Sequence, residues 1–436
     1  MKVMNKKEFK KRRTQIMRMI GKEGIAILPS APIRNRSRDV EYRYRQDSDF
    51  YYLTGFAEPD AVCVIAPGRE NGEYIVFCRE GDREKEKWEG SRSGPDGLIN
   101  NYSVDDAFPI DDIDDILPGI IESRDRLYYP MGSNPDFDKK INNWVKFLRG
   151  KISPDSHIPY EFITLDHLLH DMRLYKSHSE ISAMRRASKI AVEAHSKVMQ
   201  RTCPGMYEYE LEAIIISEFR KKNAVNSYTP IVGAGVNGCT LHYVSNNSVL
   251  NSGDLVLIDA GCELNYYASD ITRTFPVNGR FTPEQRAVYE IVLNAQNEAI
   301  EKAKEGNHWN DPHDAAVKVI TSGLKKIGLL DGRLTTLVRD EAYREFFMHR
   351  TGHWIGMDVH DVGDYKVDDQ WRLLEKGMVM TIEPGIYIPN HSKIPKKYRN
   401  IGIRIEDDVL VNKDGPDVLS KDLIKDPDAI ETHMAS

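Results

Sequence analysis

Charged residues occupy strand-like segments in the C-terminal part of the chain, where apolar side chains are normally buried. These segments contain four acids and one imidazole: Asp259, Asp270, His353, Glu383 and Glu406. Burial of uncompensated charge is very costly, so such a set requires cations beside it. Oxygen ligands with one imidazole and no thiolate suit manganese, cobalt, iron or zinc. The pattern predicts a hydrolase in which two divalent ions, four positive charges against four carboxylates, activate a water molecule.

The composition predicts a soluble globular protein of two domains, because 436 residues are many for one hydrophobic core. The net charge of -7 argues against a nucleic-acid partner. Five scattered cysteines without a CxxC pair indicate a reducing compartment, and no apolar run is long enough for a membrane span. We therefore expect a cytoplasmic protein with no membrane or nucleic-acid partner.

The chain divides into two regions by its helix and strand patterns. The segments GIAILPS, AVCVIAPG and EYIVFC predict short core strands in a mixed α/β region, residues 1–173. Ser177 and Glu180 then form a capping-box pattern that opens a helix. Residues 174–436 alternate as helices, sheet, helices, sheet. This order predicts two α/β halves of one domain that share a curved sheet, with ligands from both halves.

Asp259 and Asp270 flank a predicted hairpin. A turn centred between Leu264 and Asn265 places the two aspartates directly opposite each other. Like charges at opposed positions destabilise a sheet, and a metal ion between them reverses that effect. The pattern alone also allows two unrelated aspartates at strand ends.

Period-two alternation places Arg404 and Glu406 on one face of a strand and isoleucines on the other. In a buried sheet, the polar face must line a cavity. A solvated edge strand is the alternative, which the following Asp407 and Asp408 favour. Glu383 shares a face with Thr381, although a carboxylate before Pro-Gly is also typical of a turn.

Four histidines fall in the strand-rich segments, and His353 is the best candidate ligand among them. The other three, His242, His349 and His360, are candidates for orienting a substrate or stabilising an oxyanion. His167 and His170 are expected to form a surface pair on a helix, without acids at ligand spacing.

Several segments resemble the pita-bread metallopeptidases: NGCTLHYVSNN, LVLIDAG, SDITRTFPVNG, FFMHRTGHWIGMDVHDVG, TIEPGIYI and IGIRIEDDVLV. The stretch RNRSRDVEYRYRQDSDFYYLTGF is similar to the N-terminal domain of the aminopeptidase P group within that family. The resemblance implies an α/β (α+β) protein. A smaller N-terminal α/β domain precedes a pita-bread (creatinase/aminopeptidase-like) domain with a curved antiparallel sheet.

The resemblance also implies a dinuclear site, usually of manganese. Asp259 binds one ion, His353 and Glu383 bind the second, and Asp270 and Glu406 bridge the two. A bridging hydroxide attacks the carbonyl group before proline and releases the first residue of the peptide. Glu383 passes protons between that water and the departing proline nitrogen.

Substrate contacts follow from the same resemblance. His242, His349 and His360 steady the tetrahedral intermediate and the proline end of the peptide. Further expected contacts are Arg404 and Tyr387 behind the ligands, Tyr228 near the free amino end, and Arg149 in the N-terminal region. Gly352, where close relatives tend to carry serine, is expected to loosen the loop before His353.

Trp88 lies in the charged stretch REKEKWEG and is either a partly packed helix residue or a contact at a subunit interface or the site mouth. The family suggests a homo-oligomer, a dimer or a tetramer. A prolidase, which cuts only Xaa-Pro dipeptides, would have the same ligands, although the N-terminal segment favours the aminopeptidase. A non-catalytic binding module and a metal-free creatinase-type hydrolase are disfavoured, because all five ligand positions are occupied.

Overall fold

The computed structural model describes residues 5–151 and 157–436, which fall into two compact units, Met1–His170 and Asp171–Ser436. The division between the units lies three residues before the predicted domain boundary. Among the described residues, no helix is both long enough and apolar enough to cross a membrane.

The first unit is a mixed sheet with helices, as its sequence predicts. Its helices are α1 (Lys6–Ile20), α2 (Ser48–Thr54), α3 (Arg83–Glu89), α4 (Gly94–Tyr102), α5 (Ile113–Ile121), α6 (Pro135–Gly150) and α7 (Asp166–Leu174), which crosses the division. Its strands are β1 (Gly24–Pro29), β2 (Asn35–Ser37), β3 (Val40–Glu41), β4 (Val62–Ile65), β5 (Tyr74–Cys78), β6 (Asp106–Pro109), β7 (Arg126–Tyr128) and β8 (Glu161–Ile163).

Six of these strands pair in the order β6-β5-β4-β1-β7-β8, and β2 and β3 form a separate exposed pair. The central strands β1, β4 and β5 are antiparallel, while the outer pairs are parallel. All three predicted core strands are therefore confirmed. Their side chains are buried on both faces, which explains why they are continuous apolar runs rather than alternating ones.

The second unit contains a larger set of elements. Its helices are α8 (His178–Arg201), α9 (Glu208–Lys221), α10 (Pro283–Lys302), α11 (Asp311–Lys326), α12 (Leu334–Arg339) and α13 (Pro427–Met434). Its strands are β9 (Val225–Asn226), β10 (Ile231–Ala234), β11 (Leu255–Asp259), β12 (Cys262–Leu264), β13 (Tyr267–Ala268), β14 (Thr272–Pro276), β15 (Lys366–Val367), β16 (Gln370–Trp371), β17 (Val379–Ile382), β18 (Gly385–Ile388), β19 (Ile401–Arg404), β20 (Asp407–Leu410) and β21 (Asp417–Val418). The capping box of Ser177 and Glu180 is present at the start of α8.

Most strands of the second unit form two antiparallel groups that meet at one bridge, while β15 and β16 form a separate pair. The first group has the orders β10-β11-β14 and β13-β12-β9, and the second has β17-β20-β21 and β18-β19. An antiparallel bridge between Thr272 and Glu406 joins the two groups. The predicted pair of α/β halves is therefore confirmed, and the metal-site candidates come from both.

The hairpin between β12 and β13 turns one residue later than predicted. Leu264 pairs with Tyr267, and the loop residues Asn265 and Tyr266 have φ values of 52° and 68°. Two successive positive φ angles are typical of the two-residue type I′ loop, which matches the twist of the strands. The predicted centre between Leu264 and Asn265 was wrong because Tyr266, an unusual residue at positive φ, occupies the second loop position.

This register changes which residue faces Asp259. Asp259 pairs with Thr272, so Asp270 is its diagonal neighbour on the same face rather than its direct partner. Asp270 lies opposite Gly261, where the two strands approach closely. A Cβ atom on Gly261 would lie 1.7 Å from the carbonyl oxygen of Ser269, so only glycine fits there. The two aspartates still share one face, which is what a common ion requires.

Candidate metal centre

A cavity of about 240 Å³ collects all five predicted metal ligands of the second unit. Its lining residues are Leu241, His242, Asp259, Asp270, His349, Arg350, Gly352, His353, His360, Glu383, Arg404 and Glu406. The predicted residues Tyr228 and Tyr387 are not part of this lining but form hydrogen bonds with Asp259 and Arg404, which are.

Strand ends place the acids at the cavity. Asp259 is the last residue of β11, and Asp270 precedes β14 in the same group of strands. Glu383 follows β17, and Glu406 lies between β19 and β20 at the bridge to Thr272. The side chains of four separate chain segments therefore converge where the two strand groups meet.

His353 presents one ring nitrogen to the carboxylates. Its Nε2 lies 3.4 Å from Asp270 Oδ2 and 3.5 Å from Glu383 Oε1. Its Nδ1 donates a hydrogen bond of 2.9 Å to the carbonyl oxygen of Trp354, which fixes the ring and leaves Nε2 free to ligate. Ligand atoms of Asp270, His353 and Glu406 all lie within 4.8 Å of one another.

The carboxylates of the cavity resist ionisation together. Desolvation raises the pKa of Asp259, raises that of Glu383 to about 7, and, with the negative charge of Asp270, raises that of Glu406 well above its usual value. Asp270 is the exception: desolvation opposes its ionisation, but the hydrogen bond and charge of His353 lower its pKa overall. Desolvation would also lower the pKa of His353, yet Asp270 and Glu383 raise it to about 9.

This donor set fits divalent cations. Four acids face two arginines in this cavity, and of these two only Arg404 pairs with an acid, so the carboxylates exceed the cations that compensate them. Carboxylate oxygens and one imidazole nitrogen, without a thiolate, match the preferences of manganese, cobalt, iron and zinc. A bound ion would be the largest local charge and would lower every raised carboxyl pKa.

Tyr228 and Arg404 hold the first pair of acids. The Tyr228 hydroxyl contacts both Asp259 and Asp270, although one phenol proton serves only one of them at a time. Arg404 pairs with Asp259 and donates a second hydrogen bond of 3.0 Å to the Tyr387 hydroxyl. Tyr228 thus lies among the candidate ligands themselves.

Two threonines orient the other acids, and the sequence indicated only one of them. Thr381 Oγ1 donates to Glu383 Oε1 at 3.2 Å and accepts the backbone N–H of His353 at 3.0 Å, as their shared strand face suggests. Thr272 Oγ1 donates to Glu406 Oε2 at 2.6 Å. Thr272 lies two residues after Asp270, so period-two alternation could have identified it.

The three remaining histidines are not equivalent. Because a carbonyl only accepts, His349 Nδ1 donates to the carbonyl oxygen of Arg350 at 2.7 Å, and Nε2 then accepts from the Tyr387 hydroxyl at 2.9 Å. Desolvation and the charge of Arg404 lower the pKa of His349 to about 4, so its ring is neutral. Both of its ring nitrogens are therefore engaged by the protein.

His242 and His360 are exposed, and neither ring has a hydrogen bond to another described residue. The His360 ring meets the His353 ring edge-on, with centroids 4.4 Å apart. Partial burial and the charge of His353 lower the pKa of His360. These two imidazoles are free to bind a ligand in the cavity.

Gly352 does not loosen the loop before His353, contrary to the sequence expectation. A Cβ atom at this position would lie 2.0 Å from the carbonyl oxygen of Thr381. The loop lies so close to β17 that a residue larger than glycine would clash at position 352. This close packing fixes the loop in place. His313, which the sequence did not indicate, contacts Thr351 Oγ1 at 2.9 Å and supports the same loop.

Asp407 and Asp408 are buried, so the alternative of a solvated edge strand is wrong. Asp407 pairs with Arg273 at 2.7 Å and with Lys425 at 3.0 Å, and these charges outweigh desolvation and lower its pKa. Asp408 accepts the backbone N–H of Asp270 at 3.2 Å. The acidic side chains of this strand therefore contact partners inside the protein and do not face solvent.

Three predicted residues belong to the first unit. Trp88 lies in α3, which buries no side chain, and 89% of it is exposed, so the expectation of a partly packed residue is wrong. Arg149 lies exposed near the end of α6. His170 does have acids at ligand spacing, contrary to expectation, since its ligand atoms and those of Asp49 and Asp166 lie within 4.8 Å of one another.

Comparisons with known proteins agree on one family. The model of metallopeptidase family M24 matches residues 182–413, and that of the aminopeptidase P N-terminal domain matches residues 9–128. The chain belongs to metallopeptidase family M24. Its fold is accordingly the predicted N-terminal α/β domain followed by a pita-bread domain.

Several relatives with a similar sequence or structure are named aminopeptidases. The chain is 41% identical to the Xaa-Pro aminopeptidase of Escherichia coli, over 99% of this chain and 98% of the relative. The structure of Pseudomonas aeruginosa aminopeptidase PepP matches with a TM-score of 0.99 and 54% identity, over 100% of this chain and 99% of that one. An E. coli aminopeptidase P variant in complex with substrate matches with a TM-score of 0.97 and 40% identity, over 100% and 99%.

Proposed function

We propose that this protein is a metal-dependent exopeptidase that releases the N-terminal residue from peptides with proline in the second position. The observation that carries the proposal is the convergence of four carboxylates and one imidazole in a single cavity of an M24 chain. The relative that matches over nearly the full length is named an Xaa-Pro aminopeptidase. Proline lacks the backbone N–H and restricts the chain, so its amide bond needs a site shaped for it.

Asp259, Asp270, His353, Glu383 and Glu406 would hold two divalent ions, with manganese the first choice and cobalt, iron and zinc as alternatives. Ions bound there supply Lewis acidity and lower the pKa of water toward neutrality. Asp270 and Glu406 are the natural bridging acids, because both face His353 and each other within one cluster.

Glu383 is the proton carrier in this proposal. Its carboxylate lines the cavity beside the other candidate ligands, where it can accept a proton and donate it again. Thr381 holds one carboxyl oxygen, and His349 Nδ1 lies 3.8 Å from the other. Glu383 takes the proton of the attacking water and delivers it to the departing proline nitrogen.

The geometry divides the predicted substrate residues into two groups. His242 and His360 have free ring nitrogens and would steady the tetrahedral intermediate and the proline end. His349 instead fixes the Tyr387 hydroxyl, which Arg404 also contacts, so these three form one supporting chain. Tyr228 would position Asp259 and Asp270 rather than contact the peptide directly.

The remaining proposals concern the oligomer, the domain limits and the cellular location, and they rest on residues outside the cavity. The exposed indole of Trp88 would contact another subunit or the substrate, in a homo-oligomer that is a dimer or a tetramer. The domain limits would be 1–173 and 174–436, and five unpaired cysteines support a cytoplasmic location. A Trp88→Ala variant with unchanged oligomer mass and unchanged kinetics would remove the role of Trp88.

The test offers metal-stripped and manganese-loaded protein three substrates: an Xaa-Pro-Yaa tripeptide, an Xaa-Pro dipeptide and an Xaa-Ala-Yaa control. We expect metal-dependent release of the first residue from the tripeptide alone. Cleavage of the dipeptide alone would make the protein a prolidase, and cleavage of the control would remove the proline requirement. No cleavage by protein with bound metal would leave the fold standing and refute the function.

A further inference from the structure

Arg350 lines the cavity of the metal centre but takes no part in holding the acids. Two arginines line this cavity. Arg404 is buried and contacts Asp259 and Tyr387, so its charge is compensated within the protein. Arg350 belongs to the loop between His349 and His353, and its guanidinium donates to the neutral side-chain oxygen of Asn310.

Arg350 forms no ion pair with a described carboxylate, and Asp314 acts on its charge only from beyond ion-pair distance. Within residues 5–151 and 157–436, no carboxylate oxygen lies in ion-pair distance of its guanidinium, whereas nearby Arg344 pairs with Glu341 at 2.7 Å. The guanidinium lies 5.0 Å from the ring centroid of Trp371, and Lys366 Nζ lies 4.7 Å from the same ring. The guanidinium of Arg350 thus lies beside an aromatic ring and forms no ion pair within the described residues, which leaves it able to bind an anion from outside the chain.

We propose that Arg350 binds a carboxylate of the peptide substrate and thereby determines which Xaa-Pro peptides the enzyme prefers; this inference rests on the proposed function. A guanidinium has five N–H donors, and a planar carboxylate can accept two of them side by side. Asn310 takes only one of these donors, and the ring of Trp371 lies beside the guanidinium, so the other donors can serve a ligand.

The size of the cavity limits where that carboxylate can lie along the peptide. At about 240 Å³ it is smaller than the range of about 300–1,000 Å³ that is usual for ligand pockets. A group that reaches both Arg350 and His353 therefore belongs to a residue at or next to the cleaved bond. Two sources satisfy this condition: the side chain of an acidic first residue, and the C-terminal carboxylate of a short peptide.

Two matched substrate pairs separate these sources. Ala-Pro-Ala and its C-terminal amide differ only in the terminal charge, while Asp-Pro-Ala-amide and Asn-Pro-Ala-amide differ only in the side-chain charge. Wild type, Arg350→Gln and Arg350→Lys are compared on all four, with manganese loaded. Arg344→Gln is the matched control, since it removes a nearby arginine that already has an acidic partner. Melting temperature and metal content establish that each variant is folded and loaded.

We expect wild type to favour the charged member of at least one pair, and Arg350→Gln to lose that preference through a higher KM. A hydrogen bond to a charged group contributes about 1.5–3 kcal/mol, which corresponds to about a 10- to 100-fold drop in kcat/KM for the charged substrate only. Arg350→Lys should recover part of this preference, because lysine keeps the positive charge but lacks the two parallel N–H donors of the guanidinium. The pair that responds identifies the carboxylate.

Three outcomes overturn the inference. Wild type could show no preference within either pair, Arg350→Gln could leave all four rates unchanged, or it could lower all four equally, which would indicate a structural role. In each case the cleavage of Xaa-Pro bonds by wild type still stands. If wild type cleaves none of the four substrates, the proposed function fails and this inference with it.

Discussion

Glu406 and Asp407 are neighbours in sequence, yet their carboxylates lie in opposite electrostatic surroundings. Asp407 lies against Arg273 and Lys425 and accepts a hydrogen bond from Ser420, and its pKa is lowered. Glu406 faces other acids of the cavity, and its pKa is raised well above the usual value. The protein supplies cations to one carboxylate and leaves the other for ions from solution. For these two residues, compensation by cationic neighbours rather than burial separates the structural acid from the candidate metal ligand.

The sharpest test of this contrast is Glu406→Gln. Removing one ligand of a dinuclear site should lower kcat/KM by about 10³-fold or more, since the chemistry depends on the bound ions. The metal-free variant should melt no lower than metal-free wild type, because one of several mutually repelling carboxylates is gone. Steady-state kinetics and calorimetry measure the two effects. A variant that keeps full activity would remove Glu406 from the metal centre.

Asp407→Asn should show the reverse pattern. Removing one partner from a buried ion pair costs about 3–5 kcal/mol, because the remaining charge is left uncompensated. We therefore expect a large loss in the free energy of unfolding, measured by denaturant titration. The kcat/KM of the molecules that remain folded should stay near wild type. Loss of activity without loss of stability would contradict the structural role of Asp407.

A Thr272→Val variant tests whether the orientation of the Glu406 carboxylate matters for metal binding. Thr272 donates to Glu406 Oε2, and loss of such a supporting hydrogen bond typically costs about 10- to 100-fold in metal affinity. Valine has nearly the same shape, so packing in β14 should persist. Competition with a fluorescent chelator would measure the change. Thr274→Val, in the same strand, is the control, since its hydroxyl bonds the backbone of Arg404 instead.

The pH dependence of stability should change sign when metal binds. In metal-free protein, the pKa of Glu383 is about 7 against an ordinary value of 4.5, so the folded state holds the proton more tightly and stability falls as pH rises between these values. The raised pKa values of Glu406 and His353 act in the same direction. Ligands must lose protons to bind ions, so loaded protein should gain stability as pH rises over the same range. The measurement is the melting temperature as a function of pH, once with chelator and once with manganese. If the acids were not ligands, the two pH dependences would be the same.

The sequence predicted the cavity well because its acids follow simple rules. Alternation in the strands places Arg404 and Glu406 on one face, and the structure brings both to the cavity with Asp259. The register of the hairpin was harder to predict from the sequence. Its loop holds Tyr266 at positive φ, a conformation that bulky residues rarely adopt.

Contacts between distant segments could not be predicted from spacing. His349 and Tyr387 are far apart in sequence, and only the fold shows that they bond each other. The same holds for Asp407, whose burial against Arg273 contradicts its appearance as a solvated charge. Alternation shows which face a side chain occupies, but it does not show which partner lies opposite.

The meeting of two strand groups at the cavity has a consequence for the protein during its synthesis. Asp259 and Asp270 belong to the first group, while Glu406 lies between β19 and β20 of the second. Chains are synthesised from the N-terminus, and domains fold as units. A growing chain therefore has no complete set of candidate ligands until its second strand group has been synthesised, so the metal centre cannot form on the first group alone.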